Sequence, residues 1–244
     1  FENSDIGSLA HTVLESFIKS RLKEDGTVDT DVTDEEIARE VDAIIDALAE
    51  EFINGGTISK RMSAMLRRVK KRVCLILRQL MDEFSQSEFR PILFEFPIGL
   101  AGSPSMASFK IPLDGGWNAF LKGRVDRVDS YRSEDGKTWF RVCDYKTGYE
   151  KFRIDELETG LSLQMPLYLI AIWRGSPDYI RRALGSSDGK LYPAGVLYFL
   201  AQPKKPVLRG PSDAEEIKEA ALSAFTTEGM LLSDRELLEA MDKE

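Results

Sequence analysis

Apolar side chains recur at helical spacing through the first third of the chain. Leu9, Val13, Leu14, Phe17 and Ile18 fall on one face of a helix that Ser4 or Asp5 can cap. Lys23 to Thr30 is polar and reads as a loop. Thr33-Asp34-Glu35-Glu36 has the spacing of a capping box, and it opens a helix carrying Ile37, Val41, Ile44, Ile45 and Leu48. Asn54-Gly55-Gly56 ends that helix. A third helix is expected from Ser59 to Ser85, with Met62, Leu66, Val69, Val73, Leu77, Leu80 and Met81 as its apolar stripe.

The period then changes from helix to strand. Pro91 to Ile98 reads as a strand and Gly102 to Ser108 as a loop. Trp117 to Tyr131 and Trp139 to Lys146 read as two strands joined by a turn containing Asp135-Gly136. A helix from Ser162 to Arg174 and a strand from Ala194 to Leu200 follow. Pro203, Pro206 and Pro211 mark a break, and the tail from Asp213 reads as an acidic helix. The expectation is a mixed α/β core over residues 89–202, behind a helical region over 1–88 and ahead of a helical tail over 203–244.

Composition changes this picture little. The 244 residues include 43% hydrophobic and 30% charged side chains, an ordinary globular balance. No apolar run approaches the ~20 residues of a membrane span, and no signal peptide is visible, so a cytoplasmic protein is expected. Cys74 and Cys143 stand apart in apolar surroundings, outside any CxxC spacing, and read as buried structural thiols. No phosphate-binding loop of an ATPase is present.

Charge matters more. The net charge of −8 argues against a nucleic-acid partner for the chain as a whole. Yet Lys60, Arg61, Arg67, Arg68, Lys70, Lys71, Arg72 and Arg78 form a stretch without one acid. Screening confines a field to about 10 Å, so such a stripe can still face a phosphate backbone. Its other reading is a solvated helix face.

The chemistry concentrates on the two hairpin strands. Asp144 and Lys146 are two apart, so both leave the same strand face, where Phe140 and Val142 precede them. On the preceding strand, Gly123-Arg124-Val125-Asp126-Arg127-Val128-Asp129 offers two acids, of which only one parity can point with Asp144. Carboxylates converging at neighbouring strand ends repel unless a cation lies between them, and oxygen ligands suit Mg²⁺ or Mn²⁺. Gln164 and Tyr168 share one face of the following helix. His11 is the single histidine, and on a helix its plain reading is structural.

Taken in order, Ile6-Gly7-Ser8-Leu9-Ala10-His11 with Leu14-Glu15, Gly123 to Asp129, Asp144-Tyr145-Lys146-Thr147-Gly148 and Gln164-Met165-Pro166-Leu167-Tyr168 resemble the RecB-type nucleases of the PD-(D/E)XK superfamily. Among them the likeness is to AddB-type domains of bacterial helicase–nucleases. The resemblance implies a restriction-endonuclease-like fold, a mixed sheet flanked by helices. It implies a metal-dependent DNA exonuclease that processes double-strand breaks for recombination repair beside an AddA-like partner subunit. It assigns His11, Asp126, Asp144 and the Tyr145 carbonyl as metal ligands and Lys146 as the catalytic lysine, with Asp126 and Asp144. Gln164 and Tyr168 would contact DNA or brace the centre, and Glu95 would be an additional acid; separately from the resemblance, Arg67, Arg68, Lys71 and Arg72 of the basic stretch, with Arg124, are candidate DNA contacts.

AddB-type domains also resemble iron–sulfur proteins, with a 4Fe-4S cluster held by one cysteine before and three after the nuclease region. Cys74 and Cys143 do not fit that pattern, so no cluster is expected in this chain. A fragment of a larger protein, cut inside that frame, is expected instead. Two other readings stand beside this one: a DNA-binding module whose centre is silent, and a stand-alone Cas4-like or phage-type exonuclease.

Overall fold

The structure, a computed structural model, describes residues 3–53, 60–146, 153–200 and 227–242, the side chains of 3–6 and 49–53 excepted. The Asn54-Gly55-Gly56 break, Thr147-Gly148, Pro203, Pro206, Pro211 and the tail over 213–226 lie outside the described residues. The chain divides into two compact units. The first comprises Phe1–Ser85, Tyr145–Glu150 and Phe199–Thr227; the second comprises Gln86–Asp144, Lys151–Tyr198 and Glu228–Glu244.

In the first unit, three amphipathic helices form in the expected places: α1 (Asn3–Ser20), α2 (Asp34–Ile53) and α3 (Lys60–Gln86). Helix α1 buries Leu9, Val13, Leu14, Phe17 and Ile18, and α2 buries Ile37, Val41 and Ile45. The capping box forms: the Glu36 amide donates to Thr33 Oγ1 at 3.2 Å, and the Thr33 amide donates to Glu36 Oε2 at 2.9 Å. Helix α3 buries Val69, Val73, Ile76, Leu77, Leu80, Met81 and Phe84. Cys74 on α3 is only half-buried, because it lies beside the apolar stripe and not in it; Cys143 is buried as expected. No helix among the described residues is long and apolar enough to cross a membrane.

The second unit is built on a sheet of β1 (Arg90–Ile98), β4 (Gly123–Arg132), β5 (Thr138–Lys146), β6 (Tyr192–Leu200) and β7 (Glu228–Leu231), in the order β1-β4-β5-β6-β7. Strand β4 runs antiparallel to both β1 and β5. Between β1 and β4 a separate two-stranded hairpin is formed by β2 (Phe109–Pro112) and β3 (Asn118–Leu121). The helices are α4 (Ile154–Glu158), α5 (Gln164–Gly175), α6 (Asp178–Ala183) and α7 (Arg235–Met241). Phe89, Ala194, Leu237 and Ala240 form a buried cluster, with Tyr131 and Trp139 against it.

Two expectations are corrected. Trp117 to Tyr131 is not one strand. It divides at Lys122, because β3 pairs only with β2 while β4 pairs with β1 and β5. The tail is not wholly helical: Glu228–Leu231 is a strand on β6. Gly229 permits this pairing, since a Cβ there would stand 2.2 Å from the Val196 carbonyl oxygen. Short apolar alternation of this kind carries little periodic signal.

Candidate metal centre

The site begins with strand register. Arg127 faces Cys143 and Val128 faces Val142 across the β4–β5 ladder. Side chains alternate between faces along a strand, so Asp126, Val128, Val142 and Asp144 share one face. The parity left open by the two acids of β4 is resolved in favour of Asp126. Strand β1 adds a third acid. Phe94 faces Arg127 and Phe96 faces Val125, which brackets Glu95 opposite Asp126. Ligand-type oxygens of Glu95 and Asp126 lie within 4.8 Å of each other.

Glu95 is held at φ 44°, a left-handed backbone inside a strand. A non-glycine residue there costs about 1–3 kcal/mol, and such strain gathers at functional sites. Arg124, half-exposed on the same parity as Asp126, brings its Nε to 3.9 Å from Glu95 Oε2.

Asp144 is buried at 6% exposure. Its carboxylate bears on Tyr198 of β6: burial first, and the Asp144 charge second, push the Tyr198 hydroxyl up to about 12. Tyr198 therefore keeps its proton through the physiological range. Nothing in the apolar run of β6 singles this tyrosine out. Lys146, two residues beyond Asp144, leaves β5 on the same face and is partly exposed.

Tyr145 stands between them in sequence. Within the first unit, His11 Nε2 lies 3.1 Å from the Tyr145 carbonyl oxygen, and the two rings meet edge to face at 6.1 Å. At 3.1 Å the His11 ring nitrogen and the Tyr145 carbonyl are within hydrogen-bond distance of each other. Within the second unit the carboxylates of Glu95 and Asp126 are oxygen donors of the kind divalent cations accept.

The opposite face of the same ladder holds charges that the sequence did not mark as structural. Asp129 accepts from Arg127 Nε at 2.7 Å and Nη2 at 2.9 Å, and from Arg141 Nε at 2.9 Å. Arg127, Asp129 and Arg141 are essentially buried. Burial alone would raise the Asp129 pKa, but the two guanidiniums outweigh it and hold the carboxyl below its ordinary range. Cys143 Sγ completes the cluster, 3.4 Å from both Arg127 Nη2 and Asp129 Oδ2. The available signal was parity: Arg127 and Asp129 alternate with Asp126, and Arg141 and Cys143 with Asp144.

Helix α5 supplies Gln164 and Tyr168. Gln164 Nε2 donates to the Tyr168 hydroxyl at 3.3 Å. That hydroxyl lies over Gly123, where a Cβ would stand 1.9 Å from it. Gly123 is thus required for space, and it lets a buried tyrosine rest on the strand that carries Arg124 and Asp126.

The basic stripe of α3 divides in two. Lys70 pairs with Asp42, and Arg78 with Asp34 at 3.3 Å, so these cations are neutralised by α2. Arg67, Arg68, Lys71 and Arg72 lie on the side away from the buried stripe, with Lys60 and Arg61 one to two turns before them. None of these six makes an ion pair with a described residue.

This fold and these residues define a nuclease class. The family model of the PD-(D/E)XK nuclease superfamily matches residues 1–244, and the chain belongs to that superfamily. It is also similar to an ATP-dependent helicase/deoxyribonuclease subunit of Acetivibrio thermocellus, at 31% identity over 98% of this chain and 20% of that protein. The corresponding proteins of Ruminiclostridium cellulolyticum and Symbiobacterium thermophilum match equally well, each at 31% identity over 98% of this chain and 20% of their own length. The chain spans about a fifth of the length of the curated relatives it matches.

Proposed function

We propose that this chain is a divalent-metal-dependent deoxyribonuclease domain, with Glu95, Asp126, Asp144, the Tyr145 carbonyl and His11 as the ligand set for Mg²⁺ or Mn²⁺. The observation that carries the proposal is the placing of Glu95, Asp126 and Asp144 on one face of neighbouring strands. Such a cluster opposes folding unless a cation offsets its charge.

A bound divalent ion would offset phosphate charge and lower the pKa of a coordinated water. Lys146, leaving β5 beside Asp144, stabilises negative charge developing on the phosphate and orients the attacking water. Arg124 holds Glu95 at one side and offers a cation to phosphate at the other. Gln164 and Tyr168 brace β4 through Gly123 and so fix the position of Asp126. Arg67, Arg68, Lys71 and Arg72 of α3 bind the DNA backbone without reading its sequence.

The likeness to helicase/deoxyribonuclease subunits extends the proposal. In a longer protein this domain acts as an exonuclease beside an AddA-like helicase partner, in the cytoplasm, and resects double-strand breaks for recombination repair. A longer protein of this type could also hold a 4Fe-4S cluster through cysteines outside this chain.

The test is cleavage of linear single- and double-stranded DNA with Mg²⁺ or Mn²⁺. Asp126→Ala and Lys146→Ala should each abolish it, and cleavage surviving either change sinks the proposal. Calorimetric titration with Mn²⁺ separates this reading from a silent DNA-binding module. Heat that vanishes in Asp126→Ala supports the ligand set, and no heat with the unaltered chain favours the silent module. Neutralising Arg67, Arg68, Lys71 and Arg72 together should weaken binding to all DNA sequences alike and flatten its salt dependence.

A further inference from the structure

Arg124 sets a cation against the acid pair of β1 and β4. Arg124 and Asp126 are two apart on β4, so both leave the same face, and Glu95 of β1 stands opposite Asp126. The Arg124 guanidinium therefore meets Glu95 along the diagonal of the strand pair, with Nε 3.9 Å from Glu95 Oε2. That is an ion pair longer than a hydrogen bond. Its two ends differ. The Glu95 side chain is 21% exposed and that of Arg124 is 50% exposed. Glu95 is the anchored end, and Arg124 is the movable one, a long side chain with its charged head half in water. The carboxylates of Glu95 and Asp126, within 4.8 Å of each other, repel, and the guanidinium offsets part of that repulsion.

We infer that Arg124 is a phosphate contact whose strength follows the occupancy of the acid pair. While Glu95 carries its charge uncompensated, it holds the Arg124 guanidinium and weakens what that group offers to DNA. When a divalent ion offsets Glu95 and Asp126, the same guanidinium is released to a backbone phosphate. The inference rests on the nuclease reading, in which Glu95 and Asp126 are metal ligands, and adds that the grip on DNA tightens only at a loaded centre. The loose geometry favours this device over a fixed brace. A half-exposed pair at 3.9 Å is weak, so exchanging its partner costs little. The buried, two-pronged pair of Arg127 with Asp129 on the opposite face has no such freedom. The coupling is reciprocal: DNA that draws Arg124 away from Glu95 raises the affinity of the acids for the ion.

The test is fluorescence anisotropy of a short labelled duplex, read in EDTA and in Mn²⁺. Four chains are compared, all carrying Lys146→Ala so that the DNA stays whole: the parent, Arg124→Gln, Glu95→Gln and the double variant. In Mn²⁺, Arg124→Gln should lose roughly tenfold in affinity, and in EDTA less than about twofold. Once Glu95→Gln has removed the competing charge, adding Arg124→Gln should cost roughly tenfold in EDTA as well. An equal loss with and without Mn²⁺ marks Arg124 as a constant phosphate contact and overturns the inference. So does no loss in either condition, and so does a loss below about twofold in the Glu95→Gln background. The nuclease reading fails separately, by the absence of Mn²⁺ binding heat with the unaltered chain, whereas the Glu95→Gln arm is read without any ion.

Discussion

The two faces of the β4–β5 ladder carry the same kinds of residue in opposite circumstances. On one face Asp129 is enclosed by two guanidiniums that donate to it at 2.7 to 2.9 Å. On the other, Asp126 has the acid Glu95 across the strand pair, and the charge of Asp144 helps to raise the pKa of Tyr198. A carboxylate closed by its own protein is structural. On the function proposed above, carboxylates gathered against one another take a cation from outside. The sheet separates the two sets by strand parity alone.

Six substitutions would break or sharpen this contrast. The largest effect is expected from Asp129→Ala, which leaves two buried guanidiniums without their anion and should destabilise the fold by about 3–5 kcal/mol in denaturant titration. A pH series sharpens it. The folded Asp129 pKa lies below its unfolded value, so its stabilisation is full above about pH 4 and is lost as the pH falls through the folded value. Asp129→Asn should flatten that acid limb, and an unchanged limb would assign acid sensitivity to other groups.

Asp144→Asn should do the reverse. Metal-dependent cleavage should fall by more than the roughly 10–100-fold that loss of an outer-shell partner costs, with a smaller change in unfolding midpoint than Asp129→Ala gives. Equal destabilisation by the two would erase the distinction between the faces. Gly123→Ala places a methyl group against the Tyr168 hydroxyl and should cost about 1–3 kcal/mol, part of which Tyr168→Phe recovers. Arg235→Ala removes an exposed ion pair with Glu239 and should leave the melting temperature unchanged. A measurable drop there would show that surface pairs contribute more here than their solvation allows.

Much of this was legible in the sequence, for identifiable reasons. Helices α1 to α3 carry long apolar stripes, and the Asp135-Gly136 turn fixed the β4–β5 hairpin. Spacing left open whether Asp126 or Asp129 shares a face with Asp144, and the register of β4 against β5 decides for Asp126. What stayed hidden depends on third partners. The buried role of Arg127 and Arg141 needs Asp129 between them, Tyr198 matters only beside Asp144, and Gly123 is explained only by Tyr168 above it. The division at Lys122 was hidden because exposure alternates straight through it.

The left-handed backbone at Glu95 sets the interests of folding and of chemistry against each other at one residue. A glycine there would relieve the strain and make a more durable protein without the carboxylate opposite Asp126. Screening a library of this domain for heat resistance alone would therefore reward the loss of Glu95 and enrich stable, inactive proteins. Evolution of a hardier nuclease from this chain has to select for cleavage and for survival together.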